Sequence, residues 1–225
     1  MRMTKIALYD LDKTITKRPT YLPFLLHAAW RHDRRRLIFL PGLGILFALY
    51  IVRALDRGGL KERMQDMLLG SPVDTEKMAA IAESFADATI ANNLHPQALD
   101  RIAREKAAGH RLVLATASYA FYVGPLARRL GFDDVIGTEV KRDADGNILA
   151  KIDGENCYGP AKLSRVQAWA EAEGLAKEDI AVRFYSDSPT DLPVFDWSDE
   201  AIATNPTSKL RKIAEQRGWR IFAWG

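Results

Sequence analysis

The stretch Lys5-Ile6-Ala7-Leu8-Tyr9-Asp10-Leu11-Asp12-Lys13-Thr14 decides the fold. Ile6 to Tyr9 is an apolar run too short for a helix, and it leads straight into two carboxylates. Buried parallel strands read this way because helices cover both of their faces. The C-terminal ends of such strands share one edge, where open α/β sheets place their chemistry. Two later stretches repeat the pattern. The apolar run 111–115 leads to Thr116, Ala117 and Ser118, and the run 180–185 leads to Ser186 and Asp187, with Asp191 close behind. Helical spacing over 97–108, 126–130, 162–174 and 208–216, a short strand at 201–203 and a final run at 219–224 complete an alternation of strands and helices. That alternation implies βαβ units and a mostly parallel sheet. Two extended runs, 135–141 and 148–153, flank Asp145-Gly146-Asn147, a hairpin signal.

Between about residues 18 and 95 the pattern changes. Helices are predicted over 21–30, 37–55, 60–69 and 75–92, punctuated by Pro23, Pro41, Gly58-Gly59 and Pro72. The expected organisation is therefore a sheet-based core built from 1–17 and 96–225, with a helical insertion, 18–95, after the first strand. The 225 residues suit one large or two small domains. With 32 Lys+Arg against 29 Asp+Glu, the net charge of +3 lacks the clustered excess of a general nucleic-acid binder, so no nucleic-acid partner is expected. Cys157, the one cysteine, cannot form an internal disulfide, and the first apolar stretch ends too soon for a secretory signal. These features suggest a cytoplasmic protein, with contact to a membrane surface as an open alternative.

Asp10 and Asp12, Thr116 and Ser118, and Asp187 and Asp191 all follow apolar strands, so a parallel sheet gathers them on one edge. Lys162 opens a helix between the second and third of these groups. Singly, each residue reads as a turn or helix cap. Together they read as a site. Thr14 reads as a cap, and Ser188 and Thr190 as loop residues beside that site.

In this order the residues resemble the four motifs of the haloacid dehalogenase (HAD) superfamily, specifically its phosphoserine-phosphatase-like subfamily IB. Asp10-Leu11-Asp12-Lys13-Thr14 matches the first motif, Thr116 the second, Lys162 the third, and Asp187 with Asp191 the fourth. The resemblance implies a Rossmann-like core with a helical cap, and a phosphatase acting on a small phosphorylated substrate. It implies Asp10 as nucleophile, Asp12 as general acid and base, and Lys162 as the catalytic ammonium. Thr116, Ser118, Thr190 and the backbone near Leu11 and Ala117 would hold the phosphate. Fully ionised, Asp10, Asp12, Asp187 and Asp191 outweigh the one charge of Lys162. A divalent cation with a protonated Asp12 restores balance, and an all-oxygen ligand set points to Mg²⁺. The resemblance implies that Asp10, Asp187 and the Asp12 carbonyl bind this metal while Asp191 holds its waters.

The insertion carries Trp30-Arg31-His32-Asp33-Arg34-Arg35-Arg36 and then the apolar run 37–52. Sixteen helical residues span about 24 Å, short of the ~30 Å hydrocarbon core, so a membrane span is disfavoured. The run reads first as a buried cap helix with a solvated basic end. The alternative is an interfacial helix whose arginines meet anionic lipid. Four arginines at about 1 kcal/mol each supply about 4 kcal/mol, only millimolar binding, so apolar insertion has to add the rest. This layout is also similar to the phosphatidylglycerophosphatase C family of lipid phosphatases, which makes a phospholipid phosphate an alternative substrate. Residues 13–19 hold three cations and no carboxylate, which argues against an amino-acid phosphate. A phosphoserine or histidinol-phosphate phosphatase, a non-catalytic membrane-binding protein, and transfer to an acceptor other than water remain open alternatives at this stage.

Overall fold

In the computed structural model, which describes residues 3–224, β1 (Thr4–Tyr9) is the central strand of a seven-stranded sheet. On one side of it lie β2 (Arg111–Tyr119), β3 (Asp134–Arg142) and β4 (Ile148–Asp153). On the other lie β5 (Ile180–Ser186), β6 (Glu200–Thr204) and β7 (Arg220–Phe222). All neighbours pair in parallel except β4, which returns antiparallel along β3 through the Asp145-Gly146-Asn147 turn. The Asp143 carboxylate stabilises that turn by accepting from the amides of Asp145 and Asn147.

The pleat of β1 divides the core. Ile6 and Leu8 join Val113, Val182 and Phe184 on one face, under α7 (Pro160–Ala172), α8 (Leu192–Trp197) and α9 (Ser208–Arg217). Ala7 and Tyr9 face the other way, toward α5 (Pro96–Ala107) and α6 (Ala120–Arg129). The same apolar cluster continues into the insertion through Phe24, Met64, Leu68 and Phe85. The insertion consists of α1 (Tyr21–His32), α2 (Gly42–Ile51), α3 (Arg57–Leu69) and α4 (Thr75–Asn92). It shares its core with the sheet, and a bridge between Thr16 and Leu94 closes its neck.

Several local expectations need correction. Run 37–55 is not one helix: a 3-10 turn, Arg34–Phe39, precedes α2, and Pro41 stands at the break because it has no N–H to continue a helical ladder. Nor is the run a buried one. Within α2 only Leu43 and Leu46 are buried, while Ile38 and Ile51 are each 77% exposed. Thr116 to Ser118 do not follow β2 but form its irregular end, where the pairing to β3 shifts between Ala115 and Tyr119. The helix read at 126–130 begins earlier, at Ala120, and the final run is a strand only over Arg220–Phe222. Gly137 on β3 sits where α6 begins; a Cβ there would lie 2.9 Å from Ala120, so only glycine fits.

Candidate active site

The backbone at the end of β1 sets the first two carboxylates. The Asp10 amide donates to the Tyr185 carbonyl at 2.9 Å, holding residue 10 in the sheet. The chain then folds over the Leu11 carbonyl, which accepts from the amides of Thr14, Ile15 and Thr16, while Lys13 takes a left-handed conformation with φ 63°. Lys162, in the first turn of α7, is 2% exposed; its Nζ lies 2.8 Å from Asp10 Oδ1 and 2.7 Å from Asp191 Oδ2. The Ser186 hydroxyl, at the end of β5, donates to the same Asp191 oxygen at 2.7 Å. Thr14 links the first and last motifs: its hydroxyl donates to Asp10 Oδ2 at 3.3 Å and accepts from the Asp187 amide at 3.1 Å.

Asp12 has separate partners. Its Oδ1 accepts from both the amide and the hydroxyl of Thr20 at 2.8 Å, and its Oδ2 from the Ser118 hydroxyl at 3.3 Å. The Ser118 amide in turn donates to the Thr116 hydroxyl at 3.1 Å. Asp10, Lys162 and Asp191 thus touch directly, Asp187 joins through Thr14, and Asp12 joins Thr116 through Ser118. Ala117 presents its carbonyl to Lys61 and Thr138. Leu11 is buried with its carbonyl turned inward, and the hydrogen bonds of Thr190 run to Ser188 within its own turn.

The electrostatics follow from burial. Desolvation pushes Asp10 above the usual carboxylate range; the ion pair with Lys162 opposes this, while Asp191 and Asp187 add to it. Desolvation, reinforced by Asp191, likewise pushes Asp187 up to about 6. Lys162 shifts the other way: its two carboxylate partners overcome desolvation and hold it charged. One ammonium cannot satisfy three buried carboxylates, so these oxygens are short of positive charge. Asp191 Oδ1 is buried with no hydrogen-bond partner. Among the described residues no three His, Cys, Asp or Glu side chains form a metal cage. An oxygen-rich site with few side-chain ligands suits Mg²⁺, which binds through one or two carboxylates and keeps several waters. For Asp12, desolvation outweighs the donors on Thr20 and Ser118 and raises its pKa.

Three side chains had no role in the sequence reading. Thr14 sits inside the first motif but reads in sequence as a cap, and Thr20 carries no pattern that marks it. Lys61 in α3 left a trace: with Gln65 it occupies the buried face alongside Leu60, Met64 and Leu68, where apolar residues belong. Its ammonium donates to Ala117 O at 2.5 Å and Asn156 Oδ1 at 3.3 Å and lies 3.8 Å above the Tyr119 ring. Burial pushes it down to about 7.

A parallel sheet with an aspartate–lysine–aspartate site at its strand ends defines an α/β enzyme of the Rossmann-like class. The chain belongs to the haloacid dehalogenase-like hydrolase family, whose model matches residues 7–196. Phosphoserine phosphatase SerB1 of Mycobacterium tuberculosis is 28% identical over 227 residues, an alignment covering 97% of this chain and 70% of SerB1. A crystal structure of a Bordetella pertussis protein of unknown function superposes with a TM-score of 0.84 at 30% identity, covering 99% of this chain and 100% of that one. A phosphoserine phosphatase solved as a phospho-aspartyl intermediate analogue superposes with a TM-score of 0.62 at 16% identity, covering 100% and 95% of the two chains, a likeness of fold.

Proposed function

We propose that the protein is a Mg²⁺-dependent phosphatase that hydrolyses a phosphomonoester through an aspartyl-phosphate on Asp10. The observation that carries this reading is Lys162 bridging Asp10 and Asp191, with Asp12 held apart by Thr20 and Ser118. Membership of a hydrolase family and a relative named as a phosphatase support it. An Asp10 carboxylate oxygen attacks phosphorus as the ester P–O bond breaks. Asp12, whose burial favours the protonated form, gives its proton to the leaving oxygen. The alcohol departs, and the Asp12 carboxylate then takes a proton from the water that attacks the phospho-aspartate. Phosphate is released and both aspartates return to their starting states. Lys162 keeps Asp10 oriented and offsets its charge, while Thr116, Ser118 and the backbone at Leu11 and Ala117 receive the non-bridging oxygens. When bound by Asp10, Asp187 and the Asp12 carbonyl, with Asp191 on its waters, Mg²⁺ supplies charge neutralisation at the phosphoryl oxygens.

The leaving group would occupy a cavity of about 570 Å³ between insertion and sheet, lined by Asp12 and Ser118 together with Leu22, Met64, Phe47 and Tyr50. Asp12 is the one carboxylate in the lining, accompanied by Arg18, Arg57 and Lys61. An apolar body suits this space, and the amine of phosphoserine would meet no acid other than Asp12. A lipid phosphate is therefore the substrate class the cavity favours. The test is turnover of p-nitrophenyl phosphate with and without Mg²⁺ in wild type and Asp10→Asn, followed by phosphatidate against phosphoserine. Equal turnover by wild type and Asp10→Asn would reject the phosphatase reading.

A further inference from the structure

The segment from Trp30 to Val52 is unusual for a protein surface. Ile38, Phe39, Ile45, Ile51 and Val52 are all more than half exposed, and they lie close together in the chain on the 3-10 turn and α2. So many exposed apolar side chains within one short segment mark a candidate interaction site. Arg31, Arg34, Arg35 and Arg53 flank it in the chain and are exposed. The one carboxylate in the segment, Asp33, is engaged in capping the 3-10 turn through the Arg35 amide. Arg36 is excluded from this count because it donates inward to the carbonyls of Asp66 and Met67.

We propose that this face lies on an anionic lipid surface, with α2 in the plane of the interface. α2 is apolar throughout and carries no charge of its own, so its exposed side chains would enter the interface while the arginines before and after it meet anionic headgroups. The ten residues of α2 span about 15 Å, and no helix among the described residues is long and apolar enough to cross a membrane, so the contact is peripheral. A second copy of the chain is a poor occupant, because a two-fold interface would set the arginines of one patch against those of the other. Phe47 and Tyr50 connect this face to the site: both belong to α2, and both line the cavity that also holds Asp12 and Ser118. Docked in this way, the cavity mouth opens toward the lipid. That last step rests on the phosphatase reading, whereas the docking itself does not.

The experiment is co-sedimentation of the full chain with vesicles of equimolar phosphatidylglycerol and phosphatidylcholine, and with phosphatidylcholine alone. Binding is expected to the anionic vesicles and to weaken with added salt. The double variant Ile38→Asp/Ile51→Asp, and separately Arg34→Gln/Arg35→Gln, should each lose about thirtyfold in vesicle affinity. Neither pair lines the cavity, so turnover of soluble p-nitrophenyl phosphate should remain at the wild-type rate, which shows that the fold is intact. Absence of soluble turnover in wild type overturns the phosphatase reading alone. Equal sedimentation of wild type and both variants, or no preference for anionic vesicles, overturns docking. So does a concentration-dependent dimer in sedimentation velocity that Ile38→Asp/Ile51→Asp abolishes, because a second copy would then occupy the face.

Discussion

Lys61 and Ala117 join the helical insertion to the edge of the sheet: the ammonium, in α3, donates a 2.5 Å hydrogen bond to the carbonyl at the irregular end of β2. The same carbonyl accepts from Thr138 at 2.8 Å. The end of β2 that carries Thr116 and Ser118 is thus held from two directions, once by the sheet and once by the insertion.

Burying this ammonium has a measurable cost. Its pKa falls from the usual 10.5 to about 7, so between those values the unfolded chain binds the extra proton and the folded chain does not. Stability from this group therefore rises with pH across that window. Urea unfolding at neutral and alkaline pH should show this rise in wild type and a smaller one in Lys61→Met. Parallel profiles in the two proteins would contradict the placement of Lys61.

The buried carboxylates have the opposite dependence. Asp187 moves from 3.8 to about 6, and Asp10 is also raised, so over that range the folded, metal-free protein holds protons that the unfolded chain has lost. Their contribution is present at low pH and is lost as pH rises through the window. A bound divalent cation reverses the penalty by stabilising the ionised forms. Added Mg²⁺ should raise the melting temperature more at neutral pH than at mildly acidic pH, and chelation should abolish turnover. Equal thermal shifts at both pH values would contradict the ligand assignment.

Asp12 is expected to matter in proportion to how badly the leaving group needs a proton. Asp12→Asn should lower turnover of an alkyl phosphate by about 10²–10⁴-fold, the usual range for a positioned general acid. The loss with p-nitrophenyl phosphate should be smaller, because that leaving group departs as an anion. Equal losses on both substrates in the release of the alcohol, measured as the pre-steady-state burst, would remove Asp12 from protonating the leaving oxygen.

Thr20 supplies two of the three donors on Asp12 and is fully buried, so Thr20→Val should cost about 1–3 kcal/mol of stability. With the hydroxyl gone, the Asp12 carboxyl should titrate higher, shifting the pH–rate profile upward. An unchanged profile would show that Thr20 serves packing alone.

The central strand was legible because Ile6 to Tyr9 is apolar without alternation, as burial on both faces requires, and because the carboxylates come immediately after it. The Asp10–Lys162–Asp191 contact was legible for the same reason: strand ends and the adjoining helix start share one edge. Thr14 and Thr20 were not, because a hydroxyl that bonds across the fold looks in sequence like one that caps a turn. The apolar run after Arg36 misled in a different way. Composition predicted burial, but Pro41 split the segment and only Leu43 and Leu46 found the core.

The central claim is that Asp10 itself carries the phosphoryl group, and the most direct measurement is to trap it. Wild-type protein mixed with Mg²⁺ and a phosphomonoester, quenched in acid and reduced with borohydride, should yield homoserine at position 10 by peptide mass mapping. Phosphate release with position 10 remaining aspartate, or with the phosphoryl group on another residue, would contradict the account.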